Sequence, residues 1–443
     1  MNMKEARRNE EFLKIYKHKS ELVHPDGCTE IFEEGATNDG ATARSLRITK
    51  TLKDGFLDDL INDCKNHPEN LQSLILSDEH KTILDTLVSS ITSEVGRALV
   101  GLSVLQLAIK AIEPLQSIRL HKGGKSDHNF SWKEGISMRS LDKNFITPIL
   151  RHHSLLRLNA DGFMMTRSLA ENYPYSILYK ANLRGARVEW LLLVEIIEND
   201  QINANSALRY LIYRLLDVSD TFTNLARLSL SKLKIFLKDK RKSDPIFITH
   251  LIKTHIDESS YAARLMEISM HSLFQAFKDL NVLEDLDLVP LSQMRSANKK
   301  HGNIGDIEFK SNNEIIVAWD AKYGKAYLRD ELEELVEKLP SHTGIKDIGF
   351  VTSEEPERLD ELQDRIQEIE DEFDVQLLII AYVNWVERQF VCAEKHSLSR
   401  EDFAAAWLTA YVESLAQKRR TVAPIDEPCQ VWLEDLILLL KAL

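Results

Sequence analysis

Two aspartates and a lysine on neighbouring stretches of chain carry the strongest chemical signal in this sequence. Asp306 stands in Ile304-Gly-Asp-Ile-Glu-Phe309, and Asp320 and Lys322 close the run Ile315-Ile-Val-Ala-Trp-Asp-Ala-Lys322. The polar loop Ser311-Asn312-Asn313 separates these β-rich runs, which predicts an antiparallel hairpin. Period-two alternation places Ala318, Asp320 and Lys322 on one strand face, and Ile315, Val317, Trp319 and Ala321 on the other. With Lys310 pairing Glu314 across the loop, Asp306 falls opposite Ala318, diagonal to Asp320 and on the face of Lys322. Carboxylates gathered at one point repel each other and resist desolvation. A divalent cation relieves that cost. Mg²⁺, commonly held by one or two carboxylates with water and phosphate oxygens completing its shell, suits Asp306 and Asp320. Such a set would suit hydrolysis of a phosphate ester, with the lysine able to orient or deprotonate the attacking water, or to stabilise charge on phosphorus.

The elements around these residues are legible by periodicity. From Tyr261 to Leu280 the chain reads as a helix apolar over most of its circumference, in which Glu267 is the odd member, on the side of His271 and Phe274. Its plainer alternative is a hydrogen bond to Ser296 or Asn298, and Glu308 reads as a solvated strand residue. After the hairpin come a helix over Asp330 to Leu339, a strand over Ile348 to Thr352, a helix over Glu357 to Phe373 and a strand over Val375 to Val383. The order α-β-β-α-β-α-β predicts an α/β core whose last strands run parallel and are covered by helices.

This arrangement resembles the PD-(D/E)xK nuclease superfamily. The resemblance rests on Gly305-Asp306, thirteen intervening residues, Asp320-Ala321-Lys322 on a second strand, and a preceding helix with Glu267, and it spans about residues 257–390. Gly305 replaces the proline of the family pattern. With the basic, polar segment upstream, the whole chain is similar to a type II restriction endonuclease. The resemblance implies a restriction-endonuclease-like core of mixed sheet and flanking helices. It makes Asp306, Asp320 and the Ala321 carbonyl metal ligands for Mg²⁺, Lys322 the catalytic lysine, and Glu267 an accessory catalytic carboxylate. It also implies a double-stranded DNA substrate, a homodimer with one site per strand, and a companion DNA methyltransferase that protects the host. Other outcomes of the same fold are a structure-specific repair or junction nuclease, or a catalytically silent DNA-binding protein.

Charge placement agrees with a polyanionic partner despite a net charge of −13. Residues 329–374 hold 17 acids against five bases, so the rest of the 443-residue chain is close to neutral. Two stretches are locally basic: His121 to Arg167, with eight Lys/Arg against four acids, and Arg227 to Lys242, with seven against one. A cleft feels such a local field rather than the sum. Arg139, Lys143, Arg151, Arg157, Arg167, Lys232, Lys234 and Lys238 suit phosphates; Arg167, Asn172, Arg184 and Arg187 are by type the residues that read base edges. The Leu169 to Tyr175 stretch, rich in amides and tyrosines, reads as a polar recognition surface.

The remaining signals set the frame. Residues 1–115 read as helical, with apolar spacing at Leu57, Leu60 and Ile61 and again at Ile75, Ile83, Leu84 and Leu87. Residues 116–256 read as a mainly helical DNA-recognition region, 257–395 as the nuclease domain, and 396–443 as C-terminal helices packing on it. Cys28, Cys64, Cys392 and Cys429 are far apart, which argues against a disulfide framework or zinc knuckle and for a reducing compartment. A polar N-terminus without an apolar signal core, and an apolar run broken by Lys110, predict a cytoplasmic protein. Serine hydrolase, P-loop and zinc-protease motifs do not occur, and His250 and His255 are off one helical face.

Overall fold

The computed structural model describes residues 11–92, 94–125, 130–156, 162–165, 169, 172–179, 183, 185–283, 286–291, 303–416 and 428–442. A contact boundary between Asp220 and Thr221 divides the chain into two units. In the first, the helical reading of residues 1–115 holds from Asp39 to Ile112, but the described residues before it, Phe12 to Glu33, form a sheet instead. Strands β1 (Phe12–Ile15), β2 (Lys19–Val23) and β3 (Thr29–Glu33) form an antiparallel meander. Alternation in Lys-Ser-Glu-Leu-Val buries Ser20 and Leu22, and Gly27, at φ +91°, lets the chain reverse before β3. Leu22 and Phe32 pack with Leu120 and Trp132.

Helices follow. Asn38 caps Asp39–Lys53 by accepting from the Ala41 N–H, and Ser77 caps Asp78–Ser89 by accepting from the His80 N–H. Leu57, Leu60, Ile61, Ile83, Leu84 and Leu87 are buried as their spacing requires. Ile75 is not. It is 86% exposed, because it lies on the connection between Pro68–Ser73 and Asp78–Ser89, outside any helical period. The helix Glu94–Ile112 buries side chains around its whole circumference, with Leu99, Leu102, Leu105 and Ile109 fully covered. Tyr175 and Tyr179 join this core, packing on Trp190, and half-buried Tyr173 packs against it, so the tyrosines read as a recognition surface are structural; among the described residues of the Leu169 to Tyr175 stretch, only Asn172 is exposed.

The second unit is a mixed α/β core. Strands β4 (Asp287–Leu288), β5 (Ile307–Ser311), β6 (Glu314–Lys322), β7 (Asp347–Thr352) and β8 (Gln376–Ala381) form a sheet in that order. The first three are antiparallel, and β6, β7 and β8 are parallel, as expected for strands joined through helices. The connecting helices Arg329–Lys338 and Leu359–Phe373 cover one face, where Leu332, Leu335, Leu362 and Ile366 pack on Ala318, Ile348 and Phe350. On the other face Val317, Trp319 and Val351 meet Phe274 of the Ala262–Asp279 helix and Trp385 of the Tyr382–Lys395 helix. The Trp319 and Trp385 rings lie 5.8 Å apart. The last strand is shorter than the expected Val375 to Val383, because Tyr382 and Val383 already open that helix. Among the described residues, no helix is long and apolar enough to cross a membrane.

Behind the sheet, His255 joins two C-terminal helices. Its Nδ1 accepts from the Tyr411 hydroxyl at 2.8 Å and its Nε2 donates to the Trp432 carbonyl at 2.9 Å, roles that only a neutral ring can combine. Burial pushes this imidazole down from 6.5 to about 4. Between those values the unfolded ring binds a proton that the folded ring refuses, so stability present above pH 6.5 falls as the pH drops toward 4, by about 3 kcal/mol in total. His255→Gln, which keeps a donor and an acceptor but cannot titrate, should flatten the dependence of urea-unfolding stability on pH in that window relative to the unsubstituted protein. Parallel profiles for the two proteins would assign the slope to other groups.

Candidate active site

The hairpin that carries the acidic residues is tighter than a three-residue loop. Asn312 and Asn313 take left-handed backbone at φ 51° and 69°, so two residues make the turn and Ser311, not Lys310, pairs with Glu314. One residue later the ladder slips: Lys310 pairs with Ile315 but Phe309 pairs with Val317, leaving Ile316 as the extra residue of a β-bulge. Together the turn and the bulge shift the expected pairing by two. Ile307 pairs with Trp319, so Asp306 stands level with Asp320 rather than opposite Ala318. The bulge also breaks the alternation. Ile315 packs with Ala318 on the face of the connecting helices, and not with Val317 and Trp319 as strict period two requires.

Backbone and side chains hold Asp306 in place. The Ala321 N–H donates to Asp306 Oδ2 at 3.0 Å. Glu308, expected to be solvated, is 5% exposed, and its Oε1 accepts from the Ile304 and Gly305 N–H groups at 2.8 and 3.5 Å. It fixes the turn that presents Asp306. Gly305 is required by close approach, since a Cβ there would sit 2.8 Å from the Trp319 carbonyl oxygen. Burial, then the negative charges of Asp320 and Glu267, push the Asp306 carboxyl well above the usual carboxylate range. Glu267 thus faces the pair. Its side chain is 21% exposed and accepts from Arg264 Nη1 one turn away. Ser296 and Asn298, its alternative partners, lie outside the described residues.

Lys322 completes the cluster and brings in a residue that the sequence did not single out. Its Nζ lies 2.8 Å from Asp320 Oδ2 and 2.5 Å from Glu331 Oε2. Burial works against this charge, yet Asp320 and Glu331 raise the ammonium above its ordinary range, so Lys322 is a firmly charged donor. Glu331 sits in the first turn of Arg329–Lys338 and is shared by Lys322 and Lys325. Burial opposes its charge, but the two lysines hold it below the usual range. The motif spacing could not reveal it, because Glu331 lies beyond Lys322 on the next helix; an acid in that helix's first turn on its buried face is the available clue. Asp306, Asp320, Lys322, Glu267 and Glu331 therefore converge where β5 and β6 meet the helices. Among the described residues no group of three or more His, Cys, Asp or Glu forms a ready-made metal cage.

The proposed DNA contacts divide between the units. In the first, Arg139 and Lys143 are exposed, Arg151 is half-buried, and exposed Asn172 accepts from Lys122 through its amide oxygen. Arg187 is engaged within the fold, donating to the Tyr179 carbonyl. In the second, Lys232 is half-buried on the helix Ala204–Phe236, Lys234 is exposed on it, and Lys238 is exposed just beyond it. Arg157, Arg167 and Arg184 lie outside the described residues.

Because Glu331 supplies one of two charged partners of a largely covered lysine, Glu331→Gln should destabilise the second unit by about 2 kcal/mol in urea unfolding. Unchanged stability would mean that the Asp320 contact alone satisfies Lys322. Neither a protein-family model nor a curated protein sequence matches the chain.

Proposed function

We propose that the chain is a Mg²⁺-dependent endodeoxyribonuclease of the type II restriction kind, with β5 to β8 and their helices serving as a restriction-endonuclease-like core. One observation carries the reading: Asp306, held by the Ala321 N–H, stands level with Asp320, which is itself in contact with the Lys322 ammonium. The donor set fits a hard divalent cation. Burial and then the negative charge of Asp320 push the Asp306 carboxyl up, a cost that a cation between the two would relieve. In a strand a residue's N–H and C=O leave on the same side, so the Ala321 carbonyl shares the side of its N–H, facing Asp306. Asp306, Asp320 and that carbonyl would hold the Mg²⁺, with water and phosphate oxygens completing its shell. When bound, the ion polarises the scissile phosphate and acidifies water.

The chain's own residues supply the rest. Lys322, charged and pinned between Asp320 and Glu331, serves better as a donor to phosphate oxygen or to the attacking water than as a base. Glu267, beside Asp306, can accept a proton from water at the same centre. Two copies of the chain would address the two strands of a duplex, inside a cytoplasm whose own DNA a companion methyltransferase protects. A second reading, a DNA-binding protein with a silent nuclease-like fold, draws on the engagement of Lys322 by two carboxylates at once.

Incubation with DNA of known sequence, followed by end mapping, tests both readings. Discrete fragments in Mg²⁺ and none in EDTA are expected; smeared or branch-only cutting would replace site specificity with structure specificity, and no nicking at all would favour the silent protein. Asp320→Ala and Lys322→Ala should each lower the cleavage rate by about 10²–10³-fold while DNA binding persists. Cleavage retained by either variant would overturn the assignment.

A further inference from the structure

Two helices of the second unit leave a groove between them that the nuclease reading does not use. Pro245–Glu258 and Tyr382–Lys395 both rest on the helix Arg400–Leu415, and the hollow between their outer sides measures about 220 Å³. Pro245, Val386 and Phe390, all buried, form its floor. Two apolar residues stand on its rim against the pattern of their own helices. The first helix buries Ile248, Leu251, Ile252 and Ile256, yet Ile246 is 79% exposed on the opposite side. The second buries Trp385, Val386 and Phe390, yet Val383 is 45% exposed, and Val391, two turns further along the same stripe, is exposed as well. Asp244 caps the first helix by accepting from the Phe247 N–H at 2.9 Å, which holds Ile246 in a fixed first turn.

Size and charge select the occupant. The hollow is smaller than small-molecule sites, which run from roughly 300 to 1,000 Å³, and suits a few apolar side chains of a macromolecule. Its positive groups come with acids: Lys253 pairs with Asp257 at 2.6 Å, and Arg400 engages Glu387 and, at 3.7 Å, Glu394. A nucleic-acid backbone or an anionic lipid surface therefore meets no net positive field here. The signs are nevertheless divided along the groove, which takes His250 and Lys253 from the first helix and Glu387 from the second. The His250 ring is exposed and has no hydrogen-bond or ion-pair partner among the described residues. A half-turn about an axis along the groove lays the first helix of one copy over the second helix of another. Donors then face carboxylates on both sides of the axis, and the Ile246 of each copy reaches the hollow of the other.

We infer that two copies of this chain associate through the groove, Ile246 of each seated over Pro245, Val386 and Phe390 of the other. The inference names the face on which the two copies of the nuclease reading meet, and rests on that reading only for the cutting of two strands. The first helix ends beside the acidic centre: its Asp257 accepts from the hydroxyl of Tyr323, the residue after Lys322, at 3.3 Å.

Sedimentation velocity of the full-length protein over a dilution series, without DNA or metal, tests the association. A dimer is expected, which Ile246→Asp and Val383→Asp should each weaken by about 30-fold or more, whereas Leu438→Asp, at an exposed residue outside the groove, should leave it unchanged. All three positions are exposed, and thermal unfolding verifies that the fold is kept. A monomer throughout the series, a dimer that both groove substitutions leave intact, or equal loss in Leu438→Asp overturns the inference. So does loss of duplex binding in the groove variants with the oligomeric state unchanged, which assigns the face to DNA. Plasmid cutting in Mg²⁺ by the same preparations separates the two readings. Linear product from the unsubstituted protein and nicked circles from the groove variants support both. Groove-dependent association without any cutting sinks the nuclease alone, and cutting by a protein whose oligomeric state ignores the groove sinks the docking face alone.

Discussion

Two carboxyl groups at the same level of adjacent strands, one of them almost wholly buried, cannot both be charged without a counter-charge at hand. Asp306 and Asp320 are in that position, and the surroundings are arranged around the difficulty. Asp306 receives one backbone N–H, and Asp320 receives the Lys322 ammonium. That lysine is in turn shared with Glu331, and Glu331 with Lys325. Positive and negative groups alternate outward from the strand end until the last, Lys325, reaches solvent. The compensation is partial, since Glu267 adds a further negative charge beside Asp306. Buried and left short of positive charge in this way, the site holds the Asp306 carboxyl well above the usual carboxylate range.

Much of this was readable from residue order, for a physical reason: the relevant elements are local and strongly periodic. The apolar run ending in Asp320-Ala321-Lys322, the helix with Glu267, and the helix-strand alternation after residue 322 each declare themselves within a dozen or so residues. The pairing across the hairpin did not, because it hangs on the backbone conformation of Asn312 and Asn313 and on one extra residue at 316. The two departures act in the same direction and preserve parity, so the faces of Asp306 and Asp320 were right although their partners were wrong. Glu308 and Glu331 were out of reach, since a carboxylate that serves backbone N–H groups or a distant lysine has the same letter as a solvated one. In the first unit, short strands rich in Lys and Glu resembled helix-forming sequence, and the tyrosines near residue 175 were mistaken for surface because their hydroxyls can satisfy themselves inside a core, as Tyr175 does on the Leu169 carbonyl.

The acidic stretch from 329 to 374 also has a structural account. Each of its five bases pairs with an acid of the same stretch: Arg365 bridges Glu333 and Glu368, and Arg358 holds Glu361. Exposed pairs of this kind contribute little stability each. The Arg365–Glu333 pair ties the two acidic helices together over one sheet face, while their buried sides, through Leu332, Leu335, Leu362 and Ile366, supply the packing. Glu331 is the exception that points inward, toward Lys322.

The strand that bears Asp320 and Lys322 also bears Trp319 on its opposite face, tilted against Phe274 and edge-on to Trp385. Indole emission is sensitive to the separation and surroundings of neighbouring rings, so any displacement of β6 would register in this pair of natural fluorophores, buried Trp385 and half-buried Trp319. The molecule thereby carries a built-in optical gauge of β6, one peptide unit from its acidic centre.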